Sequence, residues 1–108
     1  MGFIFNTKGS IISEHFKMDG AMYNVALYED HLSIKAPWGK EEMILGYSRI
    51  RDAVYTFVKN KKKKKKYRFY LVVFYKTVYG EEEKLVLEDT RCFKGRMLAR
   101  RLEELIKK

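Results

Sequence analysis

Lys59, Lys61, Lys62, Lys63, Lys64, Lys65, Lys66 and Arg68 place eight of the chain's 23 cations within ten positions, interrupted only by Asn60 and Tyr67. A tract of this kind attracts anions. Near an acidic lipid leaflet each lysine is worth about 1 kcal/mol, so the tract could contribute on the order of 5 kcal/mol after incomplete contact. On nucleic acid the same lysines would neutralise phosphates and release counterions, giving a steep salt dependence. The other 15 Lys and Arg nearly balance the 14 Asp and Glu, so the formal charge of +9 is concentrated in one segment. Tyr67, Phe69 and Tyr70 lie beside the tract and could stack on bases. Alternation, however, assigns Tyr67 and Phe69 to a buried face, and lysines lack the planar fork with which arginine reads base edges. Acidic phospholipid head groups are therefore the first expectation for this segment, and nucleic acid the second. The plainest reading is a solvated loop that keeps the chain soluble.

The remaining chemistry-bearing residues are sparse. His15 and His31 fall on separate elements, and neither stands at metal-ligand or nucleophile-pair spacing with Cys92. Zinc or cysteine-nucleophile chemistry needs more partners than these three supply. Glu81 to Glu83 read as a solvated turn tip, and no phosphate-cradling glycine pattern occurs. Neither catalysis, a metal nor a cofactor is expected. Trp38, on a turn between Pro37 and Gly39, is a candidate for dipping into an interface.

A single cysteine precludes an intrachain disulfide. The longest uninterrupted apolar run, Tyr70 to Tyr75, is far short of the roughly 20 residues that span a bilayer. The first residues lack the basic start and apolar stretch of a secretory signal. A cytoplasmic domain follows as the expectation, acting at the inner face of the membrane if the lysine tract meets lipid.

The elements that position these residues are legible in the hydropathy. With 46% apolar residues and aromatics at 15%, 108 residues suffice for one domain with a core, taken as residues 1 to 108. From Met22 to Leu87 apolar residues recur with a period near two, the pattern of half-buried strands. Tyr23 to Leu27 and Leu32 to Ala36 form a hairpin around Glu29-Asp30-His31. Met43, Leu45 and Tyr47 make a further strand. Another, carrying Ile50, Ala53, Tyr55 and Phe57, is entered through a bend at Ser48 to Arg51 and runs to the lysines. The next strand places Tyr67, Phe69, Leu71, Val73 and Tyr75 on one face. Leu85 to Leu87 form the last, and Ser10 to Met18 supply an additional first strand.

After Thr90 the period changes. Phe93, Met97, Leu98, Leu102, Leu105 and Ile106 recur at three and four, an amphipathic helix that Asp89 or Thr90 can cap. Glu103 with Lys107 and Glu104 with Lys108 have the favourable acid-before-base spacing. Gly95 is a poor helix former, so the first turn is either weak or closely packed.

The fold class is thus mainly β with a C-terminal α-helix: a bent antiparallel sheet, or a small open barrel, capped by the helix. The stretch Asn24-Val-Ala-Leu-Tyr-Glu-Asp-His-Leu-Ser-Ile-Lys, then Ile44-Leu-Gly-Tyr-Ser-Arg-Ile-Arg-Asp-Ala-Val, then two strands and a terminal helix, resembles the pleckstrin-homology-like superfamily, particularly bacterial PH and GRAM-like domains. The resemblance covers roughly residues 20 to 108. It implies a binding module, with Leu27 to Ile34 as a hairpin and Ile50 as the buried residue opening the strand that crosses to a second sheet. Phosphoinositide binders of that superfamily carry a basic cluster on their first hairpin, which Lys8 and Lys17 do not reproduce. A protein partner, docked on the helix or along an open sheet edge, is the expectation from a different class, and self-association through sheet edges belongs with it.

Overall fold

A computed structural model describes residues 9–37, 41–59, 67–90 and 94–107. Seven strands precede one helix: β1 (Ile12–Met18), β2 (Ala21–Leu27), β3 (His31–Lys35), β4 (Glu42–Gly46), β5 (Ile50–Lys59), β6 (Tyr67–Lys76), β7 (Glu82–Asp89) and α1 (Lys94–Ile106). Asp19 and Gly20, with φ of 51° and 83°, join β1 to β2. Two successive positive φ values suit the right-handed twist of the flanking strands, and Asp-Gly is the dipeptide that adopts them most readily. β4 stops at Gly46, and Tyr47 opens a 3-10 turn (Tyr47–Arg49) instead of ending the strand. Its hydroxyl donates to the Tyr28 carbonyl at 2.5 Å, tying the turn to the β2–β3 connection. The expected acidic turn at Glu81 to Glu83 is shorter: Glu82 and Glu83 are already in β7, opposite Lys76 and Tyr75.

Every pairing is antiparallel, in the order β4-β3-β2-β1-β7-β6-β5. The sheet is open, with β4 and β5 at its edges. β1 and β7 are joined through Lys17 and Glu88. That short seam lets β1–β4 fold over β5–β7, and both halves contribute to one core: Phe16, Val25, Leu27, Leu32 and Leu45 from the first, Ala53, Leu71, Val73 and Leu87 from the second. Ten of the core side chains are at or below about one per cent exposure, so the alternation seen in the sequence corresponds to burial near the sheet centre.

Helix α1 closes the open side of the bend with Leu98, Ala99 and Leu102, and Leu105 and Ile106 pack at its end. Met97 departs from the expected apolar stripe. It is 70% exposed, because it shares a face with Arg101 and Glu104, and Ala99 takes the place against the core. Lys107 pairs with Glu103 as its spacing predicts, at 3.4 Å. Glu104 turns instead to Arg101 at 3.3 Å, and Lys108 lies outside the described residues.

Gly95 resolves in favour of close packing. A Cβ at this position would stand 2.5 Å from the Phe16 ring and 2.9 Å from the Asp89 carboxyl carbon, and Phe16 is fully buried. Gly to Ala in a helix ordinarily stabilises by about 1 kcal/mol. Here the added methyl must displace a core ring, and we expect Gly95→Ala to destabilise by about 1–3 kcal/mol in urea unfolding. An increase in stability would show that the helix does not approach β1 this closely.

Candidate functional site

The hairpin of β5 and β6 is the longest element pair, ten residues a strand, in register from Ala53 opposite Val73 to Lys59 opposite Tyr67. Residues 53, 55, 57 and 59 of β5 share a face with 73, 71, 69 and 67 of β6, because side chains alternate along a strand. On this face burial falls steadily toward the tip. Ala53, Val73 and Leu71 are in the core, Tyr55 and Phe69 are half-buried, and Phe57 and Tyr67 are 58% and 45% exposed. Among the described residues β7 ends at Asp89 opposite Phe69, and Tyr67 and Arg68 pair with β5. The molecule measures 53 × 29 × 25 Å, with a radius of gyration of 14.6 Å. A compact chain of this length would have a radius of about 13 Å.

This corrects the expectation that Tyr67 and Phe69 are buried. Alternation assigned the right face, but the core does not reach the tip. Phe57 meets Tyr67 edge-on at 5.3 Å between ring centres, and Phe69 lies 6.0 Å from both Phe57 and Tyr55. On the opposite face Val58 is 57% exposed. The end of the hairpin thus exposes apolar side chains on both faces, Phe57 and Tyr67 on one and Val58, opposite Arg68, on the other.

Two of the expected cationic residues stand here. Lys59 ends β5 and Arg68 lies opposite Val58, both exposed. Lys61, Lys62, Lys63, Lys64, Lys65 and Lys66, which join the strands, lie outside the described residues, as do Trp38 and Cys92. His15 is exposed on β1. His31, stacked on Tyr28 at 4.7 Å, has Nδ1 2.7 Å from Asp30, and that hydrogen bond holds the Asp30 carboxyl below its ordinary pKa. Burial pushes the Tyr47 hydroxyl up to about 12. Both of these perturbed groups serve the turns around β2–β3 rather than the hairpin tip. No cluster of three metal-ligating side chains occurs among the described residues.

The helix meets the hairpin through a buried carboxylate. Asp89 Oδ2 accepts the Tyr55 hydroxyl at 2.5 Å and the Gly95 backbone N–H at 2.9 Å. It thus satisfies one of the free donors at the start of α1 from a strand several residues upstream. Arg96 follows immediately. With Tyr55, Phe57, Tyr67 and Phe69 it lines an open groove of about 440 Å³. Among the described residues no carboxylate pairs with Arg96 or with Arg100, whereas Arg101 and Lys107 are paired. A cation in the first turn also opposes the helix dipole. A second depression, of about 530 Å³, is lined by Arg51, Asp52, Phe74, Glu82, Glu83 and Lys84, with Arg51 paired to Glu82.

Sequence reasoning identified the cations but missed Phe57, Val58 and Arg96. The signals were present: two adjacent apolar residues before the lysines, on opposite faces, and an arginine in a helix start that bears no acid. No family model, no curated protein and no solved structure matches the chain.

Proposed function

We propose that this chain is a non-catalytic binding module of PH-like design that docks on an anionic membrane surface, through the tip of the β5–β6 hairpin. The observation that carries the reading is the exposure of Phe57, Val58 and Tyr67 on both faces of a projecting hairpin whose connecting residues are lysines. A one-sided partner needs one apolar face. An apolar medium entered end-on accepts both. Lysines held at head-group level next to inserted aromatic and aliphatic side chains are the combination used by peripheral anchors, in which electrostatic attraction and apolar burial add. A bent antiparallel sheet closed by a terminal helix supports the PH-like part of this reading, although all seven strands belong to one sheet and β5, opened by Ile50, does not cross to a second. The chain would then act at the inner, acidic face of a membrane.

The test is partition onto phosphatidylcholine vesicles with and without phosphatidylglycerol. The double substitution Phe57→Ser and Val58→Ser removes apolar area but no charge. It should weaken binding to the acidic vesicles by roughly ten- to a hundredfold, in proportion to the apolar burial lost, and leave the salt dependence as it was. Unchanged partition would eliminate the insertion. The open edges at β4 and β5 favour a second reading, a protein partner or another copy added along an edge strand. Retention of a partner at high salt, or a dimer unaffected by the hairpin variant, would point there.

A further inference from the structure

We infer that the groove between the hairpin and α1 holds the phosphate and glycerol region of one acidic phospholipid, with Arg96 as the phosphate ligand. The inference rests on the membrane reading above, and turns a diffuse attraction into a defined site. Its wall is aromatic: Tyr55, Phe57, Tyr67 and Phe69 line it, and their rings contact one another rather than standing apart to admit a planar base between them. The rim is cationic. Arg96 lines the groove itself, while Lys59 shares a face with Phe57 and Tyr67. Behind the wall the buried Asp89 carboxylate accepts from the Tyr55 hydroxyl and the Gly95 N–H, whereas Arg96 and Lys59 are exposed at the rim.

Arg96 stands where a helix favours an anion; among the described residues neither it nor Arg100 pairs with a carboxylate, while Glu103 and Glu104 pair with other cations of the helix, and of these two arginines it is Arg96 that lines the groove. Such a local conflict is expected at a functional residue, where a ligand supplies the missing charge. A guanidinium can engage two phosphate oxygens in parallel, which a lysine cannot do. The ligand chemistry that satisfies the whole groove is therefore an anion carrying an apolar body on the same molecule. A free phosphate would leave the exposed rings of Phe57 and Tyr67 wet.

The test uses dihexanoyl phosphatidylglycerol below its micelle concentration, so that no bilayer is present, and reads the ring signals of Tyr55, Phe57, Tyr67 and Phe69 and the Arg96 Nε–H signal by NMR. The expected result is a saturable shift of both sets together. Inorganic phosphate should not move the rings, and dihexanoyl phosphatidylcholine should bind more weakly. Arg96→Gln should lower the short-chain lipid affinity by about tenfold, the worth of a charge-assisted pair, with Arg96→Lys recovering part of it. The inference is overturned by ring shifts that do not saturate, by an Arg96→Gln variant that binds as well as the parent, or by oligothymidylate binding the groove more tightly than the lipid. If acidic vesicles still bind while the monomeric lipid does not, only this site is lost. If neither binds, the membrane reading fails with it.

Discussion

Replacing Lys61 through Lys66 with Gln should reduce affinity for phosphatidylglycerol-containing vesicles by roughly a thousandfold at low salt. The estimate follows from about 1 kcal/mol for each lysine near an acidic surface, reduced for incomplete contact, and from tenfold in affinity for each 1.4 kcal/mol. The slope of log affinity against log salt should flatten in the same variant, because fewer counterions are displaced. The thermal midpoint should stay within a few degrees, since the described core is built from strands β1 to β7 and α1 without any of these six residues. Co-sedimentation equal to the parent's would remove electrostatics from the mechanism. Combined with the apolar variant of the tip, it also separates the two contributions: one variant changes the salt slope and the other does not.

Asp89→Ala should be the most disruptive polar substitution, costing about 2–4 kcal/mol. Asp89 is 5% exposed and accepts from the Tyr55 hydroxyl and the Gly95 N–H. Hydrogen bonds to a charged acceptor are worth about 1.5–3 kcal/mol, and truncation leaves both donors facing a cavity. A loss of that size lowers the midpoint of a domain this small by about 10–20 °C. Asp89→Asn keeps the shape and one acceptor oxygen, and should cost about half as much. Urea unfolding of the two variants gives the comparison, and hydrogen exchange should rise first at the opening turn of α1. An Asp89→Ala variant within about 0.5 kcal/mol of the parent would mean that the helix start is held by packing alone. Because Tyr55 also forms the groove wall, the same variant should broaden the ring signals that report on lipid.

The residues that were read correctly and those that were not divide along one physical line. Leu71, Val73 and Tyr75 were assigned to the inner face by alternation, and they are buried. Tyr67 and Phe69 belong to the same alternation and the same face, yet Tyr67 is exposed and Phe69 only half-buried. A period of two states which way a side chain points and says nothing of what stands in front of it. What stands there depends on where β7 ends and how far α1 reaches, and both are distant in sequence from Tyr67. Met97 misled for a related reason. It matches a helical apolar spacing, but the helix rotates Leu98, Ala99 and Leu102 into the core, a choice made by the shape of the sheet beneath.

The chain's own sequence determined that this would be a strand-rich domain ending in an amphipathic helix, with its excess charge confined to one connection between strands. Those are local properties, set by side-chain periodicity and by which residue types follow one another. Only the tertiary structure decided that the connection lies at the end of a hairpin outreaching its core, that Phe57, Val58 and Tyr67 are left uncovered beside it, and that Asp89 draws the start of α1 against Tyr55 so that Arg96 borders the aromatic groove. Each of these joins residues far apart in the chain, and their proximity arises from the closing of two half-sheets and a helix around a common core.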